Sequence, residues 1–180
     1  MRKIRLDKTR EDLAKRFKGV GVEVGVERGV FSRTIWQKGK IRKLYAIDCW
    51  KTFNGYREHV SQERLDGFYR ITKKLLKPYN AELVRKFSLD AVDDFIDESL
   101  DFVYIDASHK YEDVLKDLEV WSKKVKKGGI VAGHDYVDQK KRSNHYSVVL
   151  AVNDFVKKHN IDKLTIYAKD PSPSWCYIKK

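Results

Sequence analysis

Five times in succession, a short run of apolar and β-branched residues is followed by a stretch with helical spacing. The runs are "GVGVEV" (19–24), "KLYAID" (43–48), "AELVRKF" (81–87), "DFVYID" (101–106) and "GIVAG" (129–133). Between them "VFSRTIWQK" reads as a helix, and Leu65, Phe68, Thr72 and Leu75 form one helical stripe that Pro78 stops. "LDAVDDFI" gives a short helix, and Val114, Leu118, Trp121 and Val125 mark the core side of one that Gly128-Gly129 ends. A last helix carries Val148, Val152, Phe155 and Val156. Strands joined by helices must run parallel, and their helices cover both faces of the sheet. "DFVYID", almost wholly apolar, fits a strand buried on both sides.

The two ends differ. Near the start, Thr9 followed by Glu11 and Asp12 resembles a capped helix start, with Leu13 and Phe17 facing inward. At the other end "KLTIYA" and "SWCYIK" are separated by only "KDPSP", too short for a crossover helix, so they should pair as an antiparallel hairpin. The expected fold is therefore an α/β, doubly wound, Rossmann-like sheet of seven strands, mostly parallel with a C-terminal antiparallel hairpin. A length of 180 residues suits one such domain, spanning 1–180.

Composition narrows the setting. A hydrophobic share of 42%, clustered along the chain, excludes a disordered protein. No apolar run approaches the roughly 18–20 residues of a membrane span, and "MRKIRLDKTRED" lacks the apolar centre of a secretory signal. Cys49 and Cys176 give neither a metal-ligand spacing nor a disulfide framework, which suits a reducing cytoplasm. The net charge of +12, from 38 basic and 26 acidic side chains, favours acidic partners, nucleic acid among them. Clusters such as "KKVKK" and "KKR" are interleaved with acids, however, and read as a solvated basic surface.

In a doubly wound sheet, ligands bind beyond the carboxyl ends of the strands. The first such loop lies in "GVEVGVERGVFSRTIW" (21–36), which carries glycines and two glutamates. Asp48, nineteen residues past Gly29, ends the second strand, where an acid can hold both ribose hydroxyls of a nucleoside. A dinucleotide would also need a third glycine, and Glu27 stands in the middle position. A carboxylate there repels a pyrophosphate but tolerates a cation. S-adenosylmethionine offers a ribose, an adenine, a sulfonium and an ammonium without any phosphate. On this reading buried Glu23 has a bound donor as partner, since burial alone would be costly. Glu27 either contacts the cofactor or sits in solvent.

"VEVGVERGVFS", "LYAIDCW", "FVYIDASHKYEDVLKDLEVW" and "GGIVAGHDY" together resemble a class I S-adenosylmethionine-dependent methyltransferase. They are most similar to the small-molecule and sugar O-methyltransferase-like group, with D-x-[SD]-H after the fourth strand and [HD]-D-Y after the fifth. The resemblance covers roughly residues 18–180. It implies that Glu23, Gly25 and Gly29 surround the methionine part and that Asp48 takes the ribose. Phe87 and Ser88 would lie beside the adenine. Val26, Glu27 and Cys49, in the same two loops, and Asp106 complete the implied cofactor set.

Methyl transfer to a hydroxyl needs an aligned acceptor and a base, a metal ion, or both. "DASHKY" and "GHDY" supply His109, Asp106, His134 and Asp135 as catalytic candidates. Asp106 and Asp135, with His134, would hold a divalent cation such as Mg²⁺ or Mn²⁺ if the pattern of the similar sugar O-methyltransferases carries over. Two departures stand out. Ser108 replaces the expected base carboxylate, which shifts that role to His109 or leaves it empty. His134 replaces a metal-binding carboxylate, which favours Mn²⁺ or no metal over Mg²⁺. In the plainer reading Asp106 caps the next helix or meets the cofactor's amino group, and His134 bonds a loop. Trp50, Phe53, Tyr56, Phe68 and Tyr69 crowd the second strand's exit, and residues 49–62 read as a lid or a simple hydrophobic flap.

The leading expectation is O-methylation of a sugar, a glycan or a small polar metabolite. An RNA methyltransferase is the alternative that the charge favours, although Asp106-Ala107-Ser108-His109 does not supply the Asn/Asp-Pro-Pro-aromatic turn of base N-methylation. A non-catalytic cofactor-binding accessory domain is a third reading.

Overall fold

The computed structural model describes residues 2–53, 60–137 and 146–180, the last range without the Tyr146 side chain. The chain begins with β1 (Arg2–Leu6), α1 (Arg10–Ala14), β2 (Lys18–Val24), α2 (Val30–Lys38) and β3 (Lys40–Asp48). There follow α3 (Gln62–Leu76), β4 (Ala81–Arg85), α4 (Ser88–Ala91), a 3-10 turn (Val92–Asp94) and β5 (Leu100–Ile105). The chain continues through α5 (Tyr111–Lys124), β6 (Val125–Gly133) and α6 (Tyr146–Lys158) to the hairpin β7 (Lys163–Tyr167) and β8 (Ser174–Ile178).

All eight strands form one sheet in the order β1-β7-β8-β6-β5-β2-β3-β4. Every pairing is parallel except those of β8, which runs antiparallel to both β6 and β7. The sheet separates two apolar layers, and the two-residue period of β5 shows how. Val103 and Ile105 join the layer with Trp121 of α5 and Phe155 of α6. Phe102 and Tyr104 face the other way, into the layer with Leu13, Phe31 and Ile35 of α1 and α2. Crossover helices thus cover both faces, and the loops at the carboxyl ends of β2, β3, β5 and β6 meet at one edge.

Several expectations are corrected. The sheet has eight strands, because "RKIRL" forms β1, parallel to β7 at the sheet's edge. Its basic, exposed side chains hide the strand in the sequence, and they also discourage edge-to-edge aggregation. Gly128-Gly129 does not end a helix. Helix α5 stops at Lys124 and Val125 already belongs to β6. The glycines absorb a bulge there: β6 advances from Val125 to Ile130 while β5 advances only from Leu100 to Phe102. Gly128 takes φ +77, and a Cβ on Gly129 would lie 2.8 Å from the Asp101 carbonyl oxygen. The alternation of Leu164 and Ile166, and of Trp175 and Tyr177, suggests half-buried strands. Leu164–Tyr167 and Ser174–Tyr177 are instead buried along both faces, because β8 lies inside the sheet and β1 shields β7. Leu76 replaces Leu75 as the buried end of the α3 stripe. Tyr56 and residues 54–59 of the expected lid lie outside the described residues. Among the described residues no helix is long and apolar enough to cross a membrane.

Candidate active site

The first loop is held by backbone hydrogen bonds and packing. Glu23, the penultimate residue of β2, is 1% exposed, and the Ser32 hydroxyl of α2 donates to its carboxyl group. The partner expected of a ligand is therefore supplied by the chain itself. Burial raises the Glu23 carboxyl to about 8; the Ser32 hydrogen bond only partly opposes this, and the nearby Asp106 charge adds to it. Gly25 takes φ +88, and a Cβ there would sit 2.1 Å from the Asp106 carbonyl oxygen. The glycine thus lets the loops after β2 and β5 touch, and Asp106 N–H donates to the Val24 carbonyl at 2.8 Å. Gly29, at φ +73, opens α2 against the Thr72 methyl, which lies 2.9 Å from a hypothetical Cβ. These glycines serve contacts between protein segments.

Asp48 ends β3 and ties the loop down. Its carboxylate oxygens accept from Glu27 N–H and from Trp50 N–H, both at 2.9 Å. Burial pushes this carboxyl up while backbone N–H groups of Trp50, Glu27 and Val26 pull it down. Each oxygen accepts one of these two bonds and retains acceptor capacity for a ribose hydroxyl. Glu27 is itself a backbone knot at φ 49, its carbonyl accepting from Trp50 Nε1 at 2.7 Å and Thr72 Oγ1 at 3.1 Å. Its side chain points outward beside Arg28, 3.6 Å away. Val26 is buried among Ala46, Trp50 and Leu65, and half-buried Cys49 donates to the Lys51 carbonyl. Phe53 and exposed Phe87 meet edge to face at 5.4 Å, forming an aromatic lip beyond the ends of β3 and β4. Ser88 is committed elsewhere: its hydroxyl donates to Asp117 and accepts from Trp121 Nε1 at 2.8 Å, fastening α4 to α5. Burial lifts the Asp117 carboxyl to about 6. Asp117, one turn before Trp121, was not singled out from the sequence.

On the other side of the cleft, the loops after β5 and β6 bring the four catalytic candidates together. His109 Nε2 lies 2.9 Å from Asp135 Oδ2, and His134 Nδ1 lies 3.4 Å from the same oxygen. His134 Nδ1 is also 3.6 Å from Asp106 Oδ2. Asp135 adopts φ +54 and is 6% exposed. Burial by itself would lower the His134 imidazole, but hydrogen bonds to Asp106 and Asp135 hold it at about 9. Burial would raise Asp135, yet the two imidazoles keep it well below the usual carboxylate range. His134 is anchored by its carbonyl, which accepts from Trp175 Nε1 at 3.2 Å. Together with Val114 and Trp175, Asp106, Ser108, His109 and His134 line a pocket. Asp106 caps no helix, since Lys110 is the N-cap of α5. Ser108 donates to Asp113 Oδ2 at 2.7 Å and steadies the turn before α5.

One residue of the cleft was missed from the sequence. Arg10 of α1 places its guanidinium 3.5 Å from Asp106 Oδ2 and 4.3 Å from the centre of the Phe31 ring. Nothing in "DKTREDL" distinguishes it from the many surface arginines.

Asp106, His134 and Asp135 present ligand atoms within 4.8 Å of one another. The set suits a cation only when His134 is deprotonated, because an imidazole binds a metal through a nitrogen lone pair and Nδ1 is the atom that faces both carboxylates.

The fold recurs in solved structures. A provisionally assigned rRNA methylase from Clostridium thermocellum is 15% identical with TM-score 0.65, covering 94% of this chain and 95% of its own. A provisionally assigned methyltransferase from Streptococcus mutans, solved in complex with SAH, is 13% identical at TM-score 0.65, covering 94% and 95%. A precorrin-6y C5,15-methyltransferase from Geobacter metallireducens is 16% identical at TM-score 0.65, covering 94% and 87%. An uncharacterized protein of Acanthamoeba polyphaga mimivirus is 26% identical over 152 residues, and one from Sinorhizobium fredii is 26% identical over 117. The aligned regions cover 81% and 64% of this chain but only 63% and 12% of those two relatives. Residues 22–136 match the family model described as a methyltransferase domain, a span that runs from β2 through Asp135 and contains every candidate residue except Arg10. The chain belongs to this methyltransferase domain family.

Proposed function

We propose that the domain takes a methyl group from S-adenosylmethionine and delivers it to a hydroxyl of a sugar, a glycan or a small polar metabolite, with His109 as general base. The observation that carries this reading is the His109–Asp135 pair, 2.9 Å apart at the edge of the pocket. Asp135 orients the imidazole through Nε2. In the neutral tautomer that donates to Asp135, the acceptor lone pair lies on Nδ1, and this is the atom that takes the acceptor's proton. The buried carboxylate then stabilises the imidazolium that forms. Ser108, aligned with the usual carboxylate base, cannot do this near neutral pH.

The donor reading rests on the carboxyl ends of β2 and β3. Asp48 keeps acceptor capacity for a ribose, the Phe53–Phe87 pair offers an aromatic face to an adenine, and Glu27 stands where a pyrophosphate would need a glycine. The related Streptococcus mutans fold was solved with SAH, the demethylated form of the same donor. S-adenosylmethionine supplies, when bound, an electrophilic methyl on a sulfonium. If a divalent cation also takes part, Asp106, His134 and Asp135 would hold it, and it would acidify the acceptor hydroxyl as a Lewis acid.

The net charge of +12 and the resemblance in fold to a provisionally assigned rRNA methylase favour RNA as the second reading. Transfer of labelled methyl groups to a panel of sugars, glycans, small alcohols and RNA, with and without EDTA, separates the two. Methylation of a hydroxyl that His109→Ala suppresses is the expected result. Methyl incorporation into RNA bases, with steep salt dependence, would replace it with the RNA reading. No transfer to any acceptor would leave a cofactor-binding accessory domain.

A further inference from the structure

We infer that Arg10 is the anchor for the α-carboxylate of the bound donor, with Asp106 beside it for the α-ammonium; this rests on the S-adenosylmethionine reading above. The inference extends the cofactor site into a segment that precedes the family match.

Arg10 is held from three directions. Thr9 and Asp12 form a reciprocal capping box that fixes the start of α1. Arg10 N–H donates to Asp170 Oδ2 at 2.6 Å, which pins the residue to the β7–β8 turn. Its guanidinium lies over the Phe31 ring, in the first turn of α2. The side chain is thereby aimed at the junction of the loops after β2 and β5, where 30% of it remains exposed. Among the described residues, no other lysine or arginine forms an ion pair with Glu23, Asp48 or Asp106.

Neutralising Asp106 does not account for this arrangement. The contact is a single one at 3.5 Å, the loose limit of a hydrogen bond, and Asp106 Oδ2 also faces His134. A partly exposed pair of this kind adds little stability. An arginine fork has five donors matched to a planar carboxylate, and Asp106 together with the Tyr104 hydroxyl engages only part of them. An amino-acid zwitterion carries its carboxylate and its ammonium on one carbon, so it needs a cation and an anion side by side. Arg10 and Asp106 are such a pair, at the edge of the Gly25 turn.

Calorimetry on the full chain tests this with two ligands, S-adenosylhomocysteine and its decarboxylated analogue, which keeps the amine and lacks only the carboxylate. The wild-type protein should bind S-adenosylhomocysteine at least about 10-fold more tightly than the analogue. Arg10→Met, which keeps an apolar stem over Phe31, should weaken S-adenosylhomocysteine about 10- to 100-fold and leave the analogue nearly unchanged, so that the ratio approaches one. Arg10→Lys should fall between, because it keeps the charge without the fork. A purely structural Arg10 would weaken both ligands together and leave the ratio intact, which would overturn the inference. A wild-type ratio near one overturns it without any variant, should Arg10→Met fail to fold. Binding of neither ligand to the wild-type protein would instead bring down the donor reading itself, and Arg10's role with it.

Discussion

Glu23 and Asp135 are both buried carboxyl groups at the carboxyl end of the sheet, yet the chain drives them in opposite directions. Glu23 is raised to about 8 and Asp135 is held well below the usual range. Both pay for desolvation, so burial alone does not set the sign. Glu23 has an uncharged hydroxyl for a partner and the Asp106 charge nearby, whereas Asp135 faces two imidazoles. Glu23 is therefore kept mostly uncharged at pH 7, while Asp135 stays ionised beside two imidazoles. One side suits holding a ligand and the other suits moving a proton.

The most severe way to break this contrast is to remove a base from the second side. His109→Ala should lower turnover of a hydroxyl acceptor by about 10²–10⁴-fold and leave S-adenosylhomocysteine binding unchanged in calorimetry. Crossing the substitution with EDTA sharpens the result. Full sensitivity to chelation with little effect of the substitution would move proton removal from His109 to a metal-bound acceptor.

Asp48→Ala probes the first side. It removes an acceptor for the ribose and releases Glu27 N–H and Trp50 N–H, so cofactor binding should weaken by about 1.5–3 kcal/mol per charged hydrogen bond lost. An unchanged dissociation constant would contradict the placement of the ribose.

Glu23 makes the contrast measurable as stability. Its folded value lies above its unfolded one, so its contribution is complete below about pH 4.5 and is lost as pH rises through about 8. Urea unfolding at pH 5 and pH 8 should show the wild-type protein losing about 3–4 kcal/mol more than Glu23→Gln over that interval. Equal losses would mean that Glu23 does not titrate there.

The smallest effect concerns the N-terminal element that carries Arg10. Thr9→Ala removes one half of the capping box and should cost about 1 kcal/mol of folding stability, read by thermal unfolding. The balance between Glu23 and Asp135 should survive, since Thr9 touches neither.

Much of this was legible in the sequence, element by element. "VFSRTIWQK" is α2 residue for residue, and the short spacing between "KLTIYA" and "SWCYIK" anticipated the antiparallel pair. His109, Asp106, His134 and Asp135 were picked out as a group because strand ends carry the site, and the structure brings them together. Strand β1 was not legible, because an edge strand with basic, exposed side chains has the composition of a solvated tail. Gly128-Gly129 was read as a helix stop, since a helix end and a β-bulge ask for the same backbone freedom.

What the amino-acid order determined by itself was the alternation of strand and helix, and with it the gathering of particular residues at one edge of a sheet. Periodicity is a local property, and burial of apolar faces makes the layered arrangement follow from it. What only the tertiary structure decided was which partner each polar group meets. Ser32 reaches Glu23 from the next helix, Ser88 turns to Asp117 and Trp121, and Arg10 arrives beside Asp106 from the far end of the chain. Those pairings span up to 96 positions in sequence, and they set the charge state of the cleft. A hydrogen bond depends on ångström-scale distance and direction, which the spacing of residues along a chain does not encode.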